Sequence, residues 1–527
     1  MFSWLKRKLG FYRALSKPQK TNDDNYNSSF SSFLDVKLSY LKTLFQQSPD
    51  VIIREFNIGK AGLTKAAVVF VDGLADKEAI EERVMKPLII EDFFANIADT
   101  ELNTFEAINK HLLLSAETKK ADDMDMLVDG ILNGETALLI DGINEVLLIS
   151  YFKWQQRSIQ EPDTEKTITG PKEGFIETLR VNTALLRRKI RDPNLVLEMT
   201  TIGVRTKTPV CIAYIKGIAR PEIVEELKRR LKEFAIDGVL SAGYLEELVT
   251  DSPFSPFRTI GTSEKPDRVA AKLLEGRIAV IVDGTPFVLT LPALFIENFQ
   301  STEDYHGHFI FQSALRLLRF LAFFLSVVTL PLYVGLASFH HELLPTKLAL
   351  SLIAARIQTP FPSLIEALIL SLFFEILREA GIRMPTAVGG AVNIVGALVL
   401  GDAAVRAGLV GAPMVIIIAL TAIANFVIPS LLDTVTLLRY FYLFLVGIYG
   451  LFGLGFGIIV TIIHLCSLYS FGIPYLSPIA PFLPSQMKDT FLRYPFWKQA
   501  FRPWQLAIDK KRGVFRLDHL KKKDEND

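Results

Sequence analysis

Two patterns of hydrophobic and polar positions divide the chain near residue 310. Before that point, short apolar runs such as Val51–Phe56 and Val210–Ile215 alternate with charged stretches of helical period. This alternation predicts an α/β region. After it, the apolar runs are as hydrophobic as membrane spans, which predicts a polytopic α-helical membrane domain.

The α/β region contains a tandem duplication. The pattern of VIIREFNIGKAGLTKAAVVFVDGLADKEAIEERV, from Val51, returns in LVLEMTTIGVRTKTPVCIAYIKGIARPEIVEELK, from Leu195. Likewise ETALLIDGINEVLLIS, from Glu135, returns in GRIAVIVDGTPFVLTLP, from Gly276. Each of the latter pair has an Asp-Gly hairpin signal between two apolar runs. The sequence therefore predicts two similar subdomains.

These patterns predict the following domain boundaries. A basic arm, polar linker and entry helix occupy 1–46, the first α/β subdomain 47–155, a connector 156–189 and the second α/β subdomain 190–310. A transmembrane domain with about four to six membrane segments occupies 311–485, and a basic cytoplasmic tail occupies 486–527.

Two runs in the second half have the length of a membrane span. Phe320–Phe339 contains no charge and follows Arg316 and Arg319, which places the α/β region in the cytoplasm by the positive-inside rule. Tyr440–Ile463 is predicted as one long span, in which Gly453 and Gly457 are spaced for close helix packing.

The side of the C-terminus stays open. A basic tail favours the cytoplasm, whereas the count of crossings leaves the tail outside. Either one segment is re-entrant, or the proline-rich segment that follows residue 463 crosses the membrane. The short runs Ala387–Leu400 and Met414–Ile428 fit half-helices of a re-entrant hairpin or two tilted crossings.

Charges interrupt the apolar stretch between Pro360 and Pro429. A charge at the bilayer centre costs about 2.5 kcal/mol or more, so charges there often mark ion pathways. We predict that helix Ser363–Arg383 lines or gates a pore. The pore or gate candidates are Glu375, Arg378, Glu379, Arg383, Asn393, Asp402, Arg406 and Asn425. The competing interpretation is that the charges lie at the interface and that the asparagines hydrogen-bond across helices.

Charge balance and motifs exclude several function classes. The chain has 58 lysines and arginines and 57 acidic residues. Its net charge is therefore too small to favour nucleic acid as a partner. Gly59-Lys60 lacks the spacing of a phosphate-binding loop, and neither a nucleophile elbow nor an HExxH motif occurs. We therefore predict no enzyme activity, no cofactor and no metal site.

Four long segments carry a family resemblance. They are IREF at Ile53–Phe56, RSIQEPDTEKTITGPKEGFIETLRVNTALLRRKI at Arg157–Ile190, KPDRVAAKLLEGRIAVIVDGTPFVLTLPALF at Lys265–Phe295 and FEILREAGIRMP at Phe374–Pro385. Through them the chain, from about Phe33 to the tail, resembles the A subunit of the spore germinant receptors of endospore-forming bacteria.

The resemblance implies an integral membrane protein of the spore inner membrane, with its soluble region facing the cytoplasm or spore core. It implies B and C subunits as partners and a nutrient signal that starts germination. In such receptors the A subunit is thought to form a homo-oligomeric ring that conducts cations through the membrane, while the B subunit takes the nutrient.

Two other functions stay open. The chain could be a non-conducting scaffold that transmits the state of a partner, or an accessory channel paralogue that amplifies ion release. A carrier built from inverted repeats is disfavoured, because the repeat lies in the soluble half alone.

Overall fold

The computed structural model describes residues 33–58, 64–90, 117–152, 169–357, 359–383 and 401–499, together with 162, 165, 167, 501–503, 505–509 and 512. The predicted basic arm, the run Ala387–Leu400 and the candidate residue Asn393 lie outside the described residues.

Two five-stranded antiparallel sheets form the α/β region. The first contains β1 (Val51–Ile58), β2 (Thr64–Val71), β3 (Thr118–Ala121), β4 (Thr136–Ile140) and β5 (Val146–Ile149). The second contains β6 (Leu195–Ile202), β7 (Thr208–Ile215), β8 (Gly261–Ser263), β9 (Ile278–Val282) and β10 (Val288–Leu291). The strand orders are β1-β2-β4-β5-β3 and β6-β7-β9-β10-β8. Corresponding strands hold corresponding positions, so the tandem-duplicated α/β fold is confirmed.

An Asp-Gly aspartate caps the first helix of each repeat. The backbone N–H of Leu34, at the start of α1 (Leu34–Leu44), donates to Asp141 Oδ1 at 3.0 Å. In the second repeat the N–H of Leu179, at the start of α5 (Leu179–Lys189), donates to Asp283 Oδ1, also at 3.0 Å. The carboxylates satisfy donors that a helix start leaves without an internal partner.

Helix α5 lies within the predicted connector 156–189 and packs against the second sheet. Its side chains Leu185 and Leu186 pack in one core with Leu197 of β6 and Ile281 of β9. The helix therefore belongs to the second repeat, as α1 belongs to the first.

Shorter helices complete the α/β region. They are α2 (Lys77–Ile80), which a π-helical turn joins to α3 (Lys86–Ile90), α4 (Met124–Leu132), α6 (Pro221–Glu233), α7 (Ala242–Val249) and α8 (Pro266–Leu274). In α6 the apolar residues recur at helical spacing, so Ile223, Leu227 and Leu231 are buried against the second sheet.

A buried ion pair joins the two repeats. Arg187 on α5 donates from Nε to Asp50 Oδ2 at 3.0 Å and from Nη2 to Asp50 Oδ1 at 3.1 Å. The two residues are 0% and 2% exposed. The Arg187 guanidinium also donates to the carbonyl of Asp192 at 3.2 Å. The geometry is bidentate, which suits a planar guanidinium and a carboxylate.

The C-terminal part is helical. Its helices are α9 (Phe309–Ser338), α10 (Thr346–Arg356), α11 (Ser363–Arg383), α12 (Ala412–Phe426), α13 (Leu432–Tyr449) and α14 (Leu451–Ser467). In the part of the chain that the structure describes, two helical segments are long and apolar enough to cross a membrane, Phe309–Ser338 and Pro429–Tyr449. Two more, α12 and α14, are apolar but shorter.

The prediction of one long span over Tyr440–Ile463 is wrong. The chain reverses at Gly450, whose φ is +61°, and α14 packs back along α13. Tyr442 on α13 donates its hydroxyl hydrogen to Thr461 on α14 at 2.8 Å. Glycine adopts positive φ without steric cost, so a reversal occurs inside an apolar run with no polar residue to mark it.

The reversal brings the tail back to the α/β region. Phe471 and Ile473, which follow α14, pack into the core of the second sheet. The hydroxyl of Ser470 donates to the carbonyl of Thr259 at 2.6 Å. The tail and the α/β region therefore lie at the same end of the helices, without a crossing by the proline-rich segment.

We expect Gly453→Ala to destabilise the α13–α14 pair. A Cβ at Gly453 would lie 2.3 Å from the carbonyl oxygen of Leu445, a backbone atom that cannot rotate away. The cost should be about 1–3 kcal/mol, seen as a lower unfolding temperature of the detergent-solubilised chain by circular dichroism.

Gly455 on the same helix provides the matched control. A Cβ there would meet nothing within 4 Å. Gly455→Ala should leave the unfolding temperature unchanged or raise it slightly, because alanine favours helix. Equal effects of the two substitutions would contradict the packing described for Gly453.

We expect Arg187→Ala to lower the free energy of unfolding by about 3–5 kcal/mol, because Asp50 would stay buried without its partner. Denaturant titration of the purified full chain measures this. Arg54→Ala removes a pair with Glu81 in which both side chains are nearly half exposed, and should cost less than about 1 kcal/mol. A small effect at Arg187 would show that this pair does not join the repeats.

Candidate functional site

One side of α11 carries polar residues along most of the helix. Ser363, Glu366 and Ser371 are buried on this side, and Glu375 and Arg378 continue it at 15% and 19% side-chain exposure. The five residues follow one another at spacings that keep them on one half of the helix surface. We call them the polar stripe of α11. It lies among helices whose other contacts are mostly apolar.

A compact ion cluster forms the end of the stripe nearer the α/β region. Glu375 Oε2 forms an ion pair with Arg378 Nη2, 2.6 Å away and one helical turn further on. Glu375 Oε1 accepts from Arg439 Nη2 at 2.8 Å, which joins α11 to α13. Arg439 is 2% exposed. One carboxylate thus holds two arginines in surroundings that strengthen each charge interaction.

Arg439 was missing from the candidate residues. Its place before an apolar run is typical of a positive charge at a membrane surface. The side chain instead points into the helix bundle. Only the packing of α13 against α11 places it beside Glu375.

Four other charged candidates form two exposed pairs. Arg383 Nη2 donates to Glu379 Oε1 at 2.6 Å, with side chains 78% and 56% exposed. Arg406 Nη2 lies 2.7 Å from Asp402 Oδ2 in an ion pair, with side chains 79% and 56% exposed. Exposed pairs of this kind contribute about 0–1 kcal/mol in water. The structure therefore brings Glu375 and Arg378 together with Arg439 and leaves the other four predicted charges on the surface of a single chain.

Asn425 is buried near the end of α12. It is 3% exposed, and neither atom of its amide has a hydrogen-bond partner among the described residues. A buried amide without partners costs about 1–3 kcal/mol. Its setting suits a contact with water, an ion or another subunit.

Gly453 and Gly457 lie where α14 meets α13. A Cβ on Gly457 would lie 2.9 Å from Leu445 Cδ1 and 3.0 Å from Tyr442 Cδ1. The contact is within one chain, between neighbouring helices of the hairpin.

Glu366 is a further charged residue of the stripe, and the sequence analysis missed it. It is 1% exposed, and within the described part of the chain neither of its carboxylate oxygens has a hydrogen-bond partner. It lies in the first turn of α11, where an acidic residue commonly stabilises the helix dipole. Because that role is common, Glu366 was not among the candidate residues. A glutamate at the start of an apolar helix was the sequence signal that could have identified it.

A second ion cluster lies where α9 leaves the α/β region. Arg316, which is fully buried, donates to Asp304 Oδ2 at 3.0 Å and to Asp489 Oδ1 at 2.8 Å. Arg319 donates to Asp304 Oδ1 at 2.8 Å, and the hydroxyl of Tyr305 donates to Asp489. Burial raises the pKa of Asp489 above its ordinary value although Arg316 opposes this. We call these five residues the junction cluster.

The junction cluster connects three parts of the chain. Asp304 and Tyr305 end the α/β region, Arg316 and Arg319 belong to α9, and Asp489 belongs to the tail. From sequence, the two arginines indicated only the side of the membrane. In the structure they also fix how α9 leaves the α/β region.

Nearby, Glu297 forms ion pairs with two buried cations. Lys272 Nζ lies 3.0 Å from Glu297 Oε2, and Arg277 contacts the same oxygen. Burial lowers the pKa of Lys272 to about 8, even though Glu297 favours its charged form. Burial also opposes ionisation of Glu297, but Arg277 and Lys272 outweigh it and hold the pKa of that carboxyl below its ordinary value.

Comparison with known proteins places this arrangement in a family. The family model for the Bacillus/Clostridium GerA spore germination protein matches residues 39–505. Spore germination protein KA of Bacillus subtilis (strain 168) is 43% identical over 466 residues, which cover 88% of this chain and 85% of that protein. The uncharacterized membrane protein YfkQ of the same organism is 41% identical over 486 residues, with 92% and 93% covered.

A solved structure also matches. The crystal structure of the N-terminal domain of the A subunit of the Bacillus megaterium spore germinant receptor GerK3 is 37% identical. The match covers 51% of this chain and 98% of the GerK3 chain, with a TM-score of 0.41.

The sequence matches extend over both the α/β region and the helical part. The matched family and the relative KA are named as spore germination proteins and not as enzymes. A relative named as a membrane protein, together with the apolar helices, indicates a membrane location. The resemblance drawn from the sequence is confirmed: this chain belongs to the Bacillus/Clostridium GerA family of spore germination proteins.

Proposed function

We propose that this chain is the A-type subunit of a nutrient receptor in the spore inner membrane. It works with B and C subunits, and its α/β region faces the cytoplasm or spore core. Membership of the family over nearly the whole chain supports the role in germination. The basic residues Arg316 and Arg319 at the start of α9 support the orientation.

We further propose that copies of the chain assemble into a ring that conducts monovalent cations past α11. The observation that carries this proposal is the polar stripe. Acidic and hydroxyl groups buried among apolar helices are costly unless they are solvated or paired. Glu366 and Ser371 lack partners in the described part of a single chain, so entry of water and cations would satisfy them.

In this proposal the gate is the ion cluster formed by Glu375, Arg378 and Arg439. In the structure, Arg378 and Arg439 neutralise Glu375, so its carboxylate is not available to a cation and the gate is closed. A shift of α13 relative to α11 would free Glu375. Glu379 lies one turn further on and adds a second carboxylate at the same end. Acidic rings favour cations in this way.

The junction cluster gives movement of the α/β region a route to the helices. Arg316 links the end of the second repeat to the start of α9, and α9 packs against α11, α12 and α13. A rigid helix held at one end by a buried ion cluster transmits displacement to the helices that it touches.

A scaffold function is the second candidate. The observation in its favour is that one glutamate holds two arginines, which suits a structural tie between helices as well as a gate. An accessory channel that amplifies ion release without sensing nutrient is the variant of the first proposal that needs no B and C subunits.

We expect Glu375→Gln to reduce cation flux through the purified chain in liposomes at least about tenfold. Two unpaired arginines would then repel cations from the path. Glu379→Gln should reduce the flux less, by about twofold, since its carboxylate is exposed and its ion-pair partner among the described residues is Arg383.

Glu82→Gln is the matched control. Glu82 is an exposed glutamate of the α/β region that pairs with Lys86, and its loss should leave the flux unchanged. Parental flux in both the Glu375 and Glu379 variants would refute the pore assignment. Absence of flux from the chain alone and from its complex with B and C subunits would favour the scaffold.

A further inference from the structure

A cavity of about 410 Å³ lies between the second α/β repeat and the C-terminal tail. Arg277 and Gln300 line it from the α/β side, and Lys488, Lys498 and Gln499 line it from the tail. It is distinct from the polar stripe of α11. Its volume is in the range of sites for small molecules.

Positive charge dominates the lining. Among the described residues that line the cavity, five are basic (Arg277, Lys488, Lys498, Arg502 and Arg512) and two are acidic (Glu275 and Asp489). Both acids already have cationic partners. Glu275 contacts Arg512 and lies 3.5 Å from Arg277, and Asp489 accepts from Arg316 at 2.8 Å.

Donors in the cavity remain available. Arg277 is 5% exposed, and its buried Nε has no hydrogen-bond partner among the described residues. Among the described residues, the amino group of Lys488 donates a hydrogen bond only to the carbonyl of Lys498, at 3.5 Å. Neither Lys488 nor Lys498 has a carboxylate within ion-pair distance in the described part of the chain.

We propose that this cavity binds a small anion with carboxylate or phosphate groups. Hydrogen bonds from charged donors to such groups are about twice as strong as neutral ones, and a buried guanidinium supplies direction as well as charge. The same chemistry is present in a free organic or inorganic anion and in the head group of an acidic lipid.

Such a ligand would hold the tail against the second repeat. Its contacts would come from both walls, and Asp489 in the tail wall belongs to the junction cluster that fixes α9. Occupancy would therefore stabilise the arrangement in which the α/β region, the tail and α9 are joined.

The test uses the purified full chain in nanodiscs of neutral phosphatidylcholine, titrated with citrate or inorganic phosphate at constant ionic strength. The readouts are the unfolding temperature and the heat of binding. Citrate or phosphate should raise the unfolding temperature of the parent chain. The double substitution Lys488→Gln with Lys498→Gln should weaken the apparent affinity at least about tenfold.

The matched control is Lys65→Gln with Lys232→Gln, two exposed lysines of the α/β region with the same change in charge. It should bind citrate and phosphate as the parent chain does. A second arm replaces the neutral lipid by phosphatidylglycerol without added anion. A gain in stability there that requires Lys488 and Lys498 would identify a lipid head group, and a gain confined to the first arm would identify a free anion.

Two outcomes would overturn the proposal. One is that neither citrate, phosphate nor phosphatidylglycerol stabilises the parent chain more than it stabilises the Lys488 and Lys498 variant. The other is that the control variant loses the effect to the same extent, which would assign it to net charge.

Discussion

The arrangement of the whole chain depends on Arg316, a fully buried arginine at the start of α9. Its guanidinium contacts a carboxylate that ends the α/β region and another that belongs to the tail. A buried charge is tolerated only when partners satisfy it, and removal of one partner leaves a penalty of several kcal/mol. Arg316 therefore connects the three parts of the chain, and loss of any one of its partners would leave a buried charge unpaired.

The same constraint acts at two other boundaries. Arg187 and Asp50 join the two repeats, and Arg439 and Glu375 join α13 to α11. These pairs differ in how completely they are satisfied. Arg187 binds both oxygens of Asp50, whereas Glu375 is divided between two arginines whose remaining donors are partly unsatisfied. The first geometry suits a fixed joint. The second suits an arrangement that changes.

In the helical part, apolar contacts hold α13 against α14, and a buried ion pair holds α13 against α11. The short turn at Gly450 lets α13 and α14 pack closely. In this hairpin, α13 places Arg439 beside Glu375 of α11. The hairpin also returns the tail to the α/β region, where it completes both the junction cluster and the anion-binding cavity that we propose. The turn at Gly450 therefore sets the position of Arg439 beside Glu375 and also the position of the tail beside the α/β region.

The sequence alone determined the duplicated α/β region, the helical second half, the bounds of α11 and the family. These follow from periodicity, turn chemistry and long ordered matches, all of which are local or repeated along the chain. It also pointed to Glu375 and Arg378, because charge in an apolar run is visible without a structure.

Tertiary structure decided which charges meet. Arg439, Arg316 and Asp489 are remote in sequence from some or all of their partners, and no spacing rule connects them. Glu366 resembled an ordinary first-turn acid until its burial was known. The reversal at Gly450 was hidden because glycine turns without a polar signal. Pairing and burial are set by how helices and sheets pack, and that information is not contained in any single stretch of sequence.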